Sequence, residues 1–380
     1  MVKKATGGYI IAAMSRSVSS IVLQWYAGHK RPLPWRGVSD PYRIWVSEIM
    51  AQQTQVETVV PYYRRWLQRF PTVHALAAAP LGEVLACWEG LGYYARARNL
   101  HRAARIVVDQ YGGRLPPTLD GLRALPGIGA YTAAAIGSIA FGVDAAALDG
   151  NIQRVLARVF DIRLDVKSTR GQKVMRALAQ SLVPAGRAGD YNEALMDVGA
   201  TVCTPRTPQC PICPLRSICH ARRLGVQLER PLPRRRPPLP ERQATAAVVR
   251  KRGWVLIVQR PPEKLLGSLW AFPQCPGDGR HPAAGLQRAL RETWGLEADI
   301  GVELPGQVQT FSHYRLTLRV FDCRWRGGTA LGAACKWVRP SALDNYPMGK
   351  ADRQIARGVQ APAGQAGDVQ PNTRPRRSDR

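Results

Sequence analysis

The sequence predicts two domains of different class, an all-helical domain over residues 18–225 and an α+β module over 243–356, and three observations carry this expectation. The chain has 380 residues, more than one hydrophobic core usually organises. From Val18 to Ala221 the apolar residues recur at spacings of three and four, as in SIVLQWY, RIWVSEIM, HALAAAPLGEVLACW, YTAAAIGSIAFG and IQRVLARVF, with Gly and Pro between them. Beyond residue 242 that rhythm gives way to β-rich runs of strand length, TAAVVRK, WVLIVQR, YRLTLRVFDCRW and CKWV, with one helical stretch from Pro282 to Trp294.

The segment 226–242 reads VQLERPLPRRRPPLPER, in which prolines deny regular hydrogen bonding and arginines repel one another, so it is expected to be a linker. Residues 1–17 are expected to be a disordered lead-in. Their apolar stretch from Tyr9 to Met14 is too short for a membrane span and marginal for a signal peptide, and Met14 is an alternative start. Residues 357–380 hold almost nothing large and apolar and are expected to be a disordered tail.

Lys and Arg total 54 against 27 Asp and Glu, a formal charge of +27, which points to a polyanionic partner. Four of the eight cysteines crowd into 203–219, while Cys87, Cys275, Cys323 and Cys335 are scattered. That pattern is a cofactor cluster with leftovers and excludes a secreted disulfide framework. No segment approaches transmembrane length, so the expected compartment is reducing, the bacterial cytoplasm at the nucleoid.

Three motifs carry chemistry. Cys203-x6-Cys210-x2-Cys213-x5-Cys219, with four prolines interposed, places four thiols where they satisfy one tetrahedral metal or one cluster. Softness does not separate zinc from iron–sulfur. In LPGIGAYTAAAI, Gly127 and Gly129 let the backbone turn tightly and expose N–H groups at the start of a helix, an arrangement that holds a phosphate without reading a base. Eighteen residues past Tyr131 stands Asp149, which alone reads as an ordinary helix N-cap. In SDPYRIWVSEIMAQQTQV, Ser39 or Asp40 caps a helix that Pro41 starts, and Glu48 and Gln52 share a face with Ile44, Trp45 and Ile49 nearby. Apolar surroundings favour the neutral carboxyl, as a general acid requires.

Together these motifs resemble the helix-hairpin-helix superfamily of endonuclease III and MutY, and between Gln24 and Ala356 the chain resembles the adenine-removing MutY family. The resemblance implies one [4Fe–4S] cluster on Cys203, Cys210, Cys213 and Cys219. It implies Glu48 as the acid that protonates the departing adenine at N7, Asp149 as the carboxylate facing an oxocarbenium-like sugar, and Asn151 as a second polar group there. Leu33, Trp35, Arg36, Val56 and Glu193 match the family's pocket for a flipped adenine. Gln52, Gln53 and Tyr93 match residues that wedge into the duplex. Ala51 departs from the family, which usually has Leu there. Tyr131 stands where endonuclease III carries the lysine nucleophile, and a phenol forms no imine, which implies a monofunctional glycosylase.

The second module resembles the MutT-like, or Nudix, domain with which MutY proteins recognise 8-oxoguanine, Phe311, Ser312 and His313 being its reader loop. Arg291-Glu292-Thr-Trp-Gly-Leu lacks the glutamate pair that holds Mg²⁺ in a Nudix hydrolase, which implies reading without hydrolysis. The expected partners of this monomeric chain are double-stranded DNA with A opposite 8-oxoguanine or G and downstream repair proteins, with no membrane.

Overall fold

Short amphipathic segments interrupted by Gly and Pro bury their apolar stripes only by packing on one another, whereas strands of alternating pattern need a sheet. The computed structural model shows both solutions. It describes residues 18–233, 237–277, 281–330 and 334–361. The expected lead-in over 1–17, residues 362–380 of the expected tail and the arginines 234–236 of the expected linker lie outside these residues; residues 357–360, expected in the tail, instead end a helix, with Val359 buried. The chain divides into two compact units, Met1–Pro237 and Pro238–Arg380. Among the described residues no helix is long and apolar enough to cross a membrane.

The first unit is helical: α1 (18–29), α2 (Pro41–Ala51), α3 (Val56–Arg69), α4 (Val73–Ala78), α5 (Leu81–Trp88), α6 (Ala95–Tyr111), α7 (Leu119–Arg123), α8 (Ala130–Phe141), α9 (Gly150–Val159), α10 (Thr169–Ser181), α11 (Ala188–Asp197) and α12 (His220–Arg223). Side-chain caps open several of them. Asp40 accepts from Tyr42 N at 2.9 Å ahead of Pro41, Thr72 from Ala75 N at 3.2 Å, and Ser168 from Gly171 N at 3.0 Å.

Three helices are enclosed, α2, α8 and α11, the last buried from Tyr191 to Asp197. Every residue of α2 from Ile44 to Met50 is buried, and so is α8 from Thr132 to Ser138, where alanines let the neighbours approach. These two helices pack on each other. Around them, Trp66 of α3 donates to the Tyr42 hydroxyl at 3.2 Å and meets Phe70 and Trp88 edge-on at 4.9 and 5.5 Å, locking α2, α3 and α5 together.

The second unit is a mixed sheet with strands β1 (Glu241–Lys251), β2 (Trp254–Gln259), β3 (Trp270–Ala271), β4 (Gln274–Pro276), β5 (Leu296–Thr310), β6 (Arg315–Gly328) and β7 (Cys335–Val338). The order is β3-β2-β1-β6-β5, with β4 on β1 and β7 on β2. β1 runs parallel to β6, from Glu241 opposite Arg315 to Arg250 opposite Arg324, and antiparallel to β2. Helix α13 (Pro282–Trp294) contributes Leu286 and Leu290 to a core with Ala247, Val249 and Leu256. Helix α14 (Lys350–Gln360) contributes Ile355 and Ala356 to another with Ala246, Val248 and Ile257. The two-residue alternation along β1 therefore feeds two cores, which is why TAAVV is buried throughout.

Replacing Trp66 by Ala removes a fully buried side chain from the junction of three helices and is expected to cost about 3–5 kcal/mol. Urea unfolding followed by the helical signal checks this, and a loss below about 1 kcal/mol would contradict the packing described.

Candidate active site

Because α2 is enclosed on all sides, the one carboxylate it carries goes inward with it. Glu48 is 8% exposed. The Tyr131 hydroxyl, from the first turn of α8, donates to Glu48 Oε2 at 2.8 Å. Burial is the largest influence on the Glu48 carboxyl and pushes it up to about 7; the Tyr131 hydrogen bond and the Arg36 charge oppose this, and Asp149 and Glu193 reinforce it. Tyr131 is itself held well above its ordinary range, by burial first and then by the Glu48 charge.

Asp149 reaches the same region from the start of α9. Its Oδ1 accepts from Ile152 N at 2.6 Å, so it is an N-cap as well as a candidate catalytic group. The chain before it is pinned by buried Asn192, which donates to Ser138 Oγ at 2.9 Å and the Ala145 carbonyl at 2.8 Å and accepts from Ala147 N at 3.1 Å. Burial raises the Asp149 carboxyl, while hydrogen bonds from Ile152 and Asn151 and the charge of Arg154 act the other way. Arg154 donates to Asn151 Oδ1 and to the Gly199 carbonyl, both at 2.8 Å.

Arg36, whose side chain is 6% exposed, is paired with Glu193 and with Asp197, the latter at 2.9 Å. Asp197 also takes Arg31 at 2.7 Å, and the Tyr26 hydroxyl donates to Glu193 Oε2 at 2.6 Å. The result is a buried lattice of two cations, two carboxylates and a phenol, in which the Arg36 Nε alone is buried with no partner among the described residues. Leu33 accepts the Arg36 backbone N–H at 2.9 Å, Trp35 is buried edge-on to Tyr63 at 5.1 Å, and half-buried Val56 opens α3. Tyr26, Arg31 and Asp197 were not among the residues the motifs singled out. The one signal for them is Asp197 itself, a lone charge inside the apolar run ALMDVGATV.

At the turns the structure amends the expectation. Gln52 is the C-cap of α2, with φ −57° and ψ 115°, and its side chain keeps the face of Glu48: its amide donates to Thr132 Oγ1 at 3.0 Å, next to Tyr131. The helix stops because Gln53 is left-handed, at φ +56°, and exposed. Tyr93 is likewise left-handed, at φ +47°, and 49% exposed. In the hairpin between α7 and α8, Gly127 has φ +81° and a Cβ there would meet Asn99 Cβ at 2.8 Å, so the turn requires glycine. Gly129 differs. Its backbone is extended, and nothing lies within 4 Å of a Cβ, so what it offers at the helix start is open space.

The four clustered cysteines line one cavity with Arg158 and Gln209. Arg158, buried on α9, donates to Cys203 Sγ at 3.3 Å and to the carbonyls of Thr204 and Pro205 at 2.7 and 2.9 Å. Burial pushes the Cys213 thiol up to about 12, with the other three sulfurs adding to the effect. Among the described residues no three His, Cys, Asp or Glu side chains form a group that holds a single metal ion. The four sulfurs line a common cavity, and a donor set of four soft sulfurs fits a thiolate-bound metal or cluster.

In the second unit, Phe311, Ser312 and His313 form the turn between β5 and β6. Phe311 N donates to the Tyr314 carbonyl at 2.8 Å, and the Tyr314 ring contacts both Phe311 and His313. Arg291 and Glu292 lie on α13 as expected.

Comparison with known proteins agrees with these two units. Residues 46–184 match the family described as HhH-GPD superfamily base excision DNA repair protein, and residues 244–358 match the NUDIX domain. An adenine DNA glycosylase of Homo sapiens is 37% identical over 399 residues, covering 89% of this chain and 73% of that one. Its counterpart in Mus musculus is 40% identical over 395 residues, covering 89% and 77%. Among solved structures, a thermostable thymine-DNA glycosylase is similar with a TM-score of 0.51 and 32% identity, covering 55% of this chain and 97% of that one.

A carboxyl raised to about 7 on folding contributes stability that is complete below its ordinary value near 4.5 and is lost as pH rises through 7. Glutamine does not titrate. The stability of Glu48→Gln relative to the parent is therefore expected to increase by about 3 kcal/mol between pH 4.5 and pH 8. Denaturant unfolding across that range checks it, and a difference that does not change with pH would contradict the burial of this group.

Proposed function

The chain belongs to the adenine DNA glycosylase family, DNA N-glycosylases of base excision repair, and from that premise we propose that it is a monofunctional enzyme removing adenine mispaired with 8-oxoguanine or guanine. The observation that carries this reading is the Glu48 carboxyl, buried, raised to about 7 and held by the Tyr131 hydroxyl at 2.8 Å.

The adenine leaves the stack and enters the pocket of Leu33, Trp35, Arg36, Val56 and Glu193, where aromatic and apolar surface offsets the lost stacking. Glu48, whose carboxyl keeps its proton up to about pH 7, gives that proton to N7, and the electron pair of the glycosidic bond goes to the base. Asp149, raised by burial against the hydrogen bonds and the Arg154 charge that oppose it, faces the cationic sugar as a carboxylate, with Asn151 beside it. The Glu48 carboxylate then takes a proton from the attacking water. Tyr131 has no amine with which to trap the sugar, so the product is an intact strand with an abasic site.

Gln52, Gln53 and Tyr93 stand at the duplex beside the vacated position, and the N–H groups following Gly127 and Gly129 hold a phosphate. Cys203, Cys210, Cys213 and Cys219 hold one [4Fe–4S] cluster; when bound, it keeps the four sulfurs as thiolates and so fixes the loop that carries Arg206, Arg216, Arg222 and Arg223. Phe311, Ser312 and His313 read 8-oxoguanine. Their domain reads without hydrolysing, since the α13 sequence after Glu292 offers no glutamate pair for Mg²⁺.

Single-turnover assays on duplexes with A opposite 8-oxoguanine, G or T test this. Excision is expected on the first two, with strand scission only after alkali, and Glu48→Gln is expected to slow it by about 10²- to 10⁴-fold. Scission without alkali would overturn the monofunctional reading, and undiminished excision by the variant would remove Glu48 from its role. Mg²⁺-dependent hydrolysis of an oxidised purine nucleoside triphosphate would overturn the reader assignment of the second domain.

A further inference from the structure

Two of the strained turns of the helical unit, at Gln53 and Tyr93, converge on one side chain. Arg96, the second residue of α6, donates from Nη1 to the carbonyls of Ile49, Met50 and Gln52 at 3.0, 2.9 and 2.5 Å. From Nη2 it donates to Thr54 Oγ1 at 3.2 Å and to the carbonyls of Leu91 and Gly92 at 3.1 and 3.2 Å. Its face lies 5.2 Å from the Trp88 ring and 5.5 Å from the Tyr93 ring.

Local forces do not account for this placement. A cation in the first turn of a helix meets that helix's own positive end. Burial lowers the guanidinium to about 10, and its Nε is enclosed without a partner among the described residues. What holds it are acceptors in two other segments. At the end of α2 no further turn satisfies the carbonyls of Ile49, Met50 and Gln52, and Arg96 serves all three, sharing that of Gln52 with Thr54 Oγ1 at 3.3 Å, while Thr54 N takes that of Ala51 at 3.3 Å. On the other side it fixes the chain immediately before Tyr93.

Each fixed segment carries an exposed non-glycine residue in the left-handed region, Gln53 between Gln52 and Thr54, and Tyr93 after Gly92. A glutamine or tyrosine released from its neighbours leaves that region for less crowded backbone angles. We propose that Arg96 is a positioning residue that clamps the Gln53 and Tyr93 turns into one preformed wedge, so that the protein's side of base extrusion is built before DNA arrives. One planar group bonded to both turns also sets the spacing between their tips, and two side chains entering one duplex require that spacing. The inference deepens the adenine-excision reading and rests on it.

The test uses the full chain carrying Arg96→Ala or Arg96→Lys and two substrates, adenine paired opposite 8-oxoguanine in a duplex and adenine in a single-base bulge, which has no partner to leave. Each variant is compared with the parent on the same substrate in single-turnover excision. A wedge held out of place is expected to slow Arg96→Ala by about 100-fold on the paired duplex and by no more than a few-fold on the bulge. Low concentrations of guanidinium ion are expected to restore part of the paired-duplex rate. Arg96→Lys keeps the charge at the end of α2 but not the planar fork, and is expected to show the same split with a smaller loss.

Equal slowing on both substrates without rescue, by Arg96→Lys as well as Arg96→Ala, would reduce Arg96 to a support of the fold and overturn the proposal. An unchanged paired-duplex rate in both variants would do so too. A parent protein inactive on both substrates would overturn the excision reading, and the role of Arg96 with it.

Discussion

Taking a carboxyl group out of water is costly unless the group keeps its proton, and the helical unit is organised around one such group. Glu48 sits on a buried helix, under a hydroxyl supplied by α8, which is also enclosed. The small residues of α8 allow that approach, since TAAAIGS presents little but backbone and methyl groups to α2. The hairpin ahead of α8 sets where Tyr131 enters, and Gly127 is the position at which that hairpin admits no side chain. Fold and acid are thus one problem: whatever opens the contact between α2 and α8 hydrates Glu48 and returns its carboxyl toward its ordinary, ionised state.

A second constraint follows from the first. A neutral acid beside ionised groups keeps its proton only if the neighbouring charges are themselves balanced. Arg31, Arg36, Glu193 and Asp197 balance in pairs, with the Tyr26 hydroxyl on Glu193. Removing Arg36 would leave Glu193 charged without its cation in the interior, and removing Asp197 would leave Arg31 without its anion, a larger penalty than the pair itself contributes in stabilisation. Asp197 holds two arginines at once, so the position of Arg36 depends on a carboxylate that lies far from it in the chain.

What was legible in the sequence were features whose causes are local. Asp40 and Pro41 start α2 as read, Asp149 caps α9, and the strand-like runs after residue 242 form a sheet. The cysteine spacing was enough to foresee four thiols around one space. Tyr26, Asp197 and Arg96 were not legible, because each has partners between 42 and 167 residues away, and nothing in a window of sequence marks such a pair. Gln52 keeps the face of Glu48 as read, both reaching α8, whereas the left-handed Gln53 at which the helix stops was not legible. Gly129 was read as a turn glycine, and its value is instead the open space it leaves.

The pairing of β1 with β6 bears on how the protein comes into being on the ribosome. The central parallel pair joins 241–250 to 315–324, so the first strand of the second unit has no parallel neighbour until most of the chain has emerged. The helical unit, rich in contacts within and between nearby helices, can be complete by then. During that interval TAAVV of β1, destined for two cores, has neither. The glutamate, glutamine and arginines around it, Glu241, Arg242, Gln243, Arg250 and Arg252, flank an apolar run that is exposed while the nascent chain waits, and charges so placed disfavour association with other nascent chains.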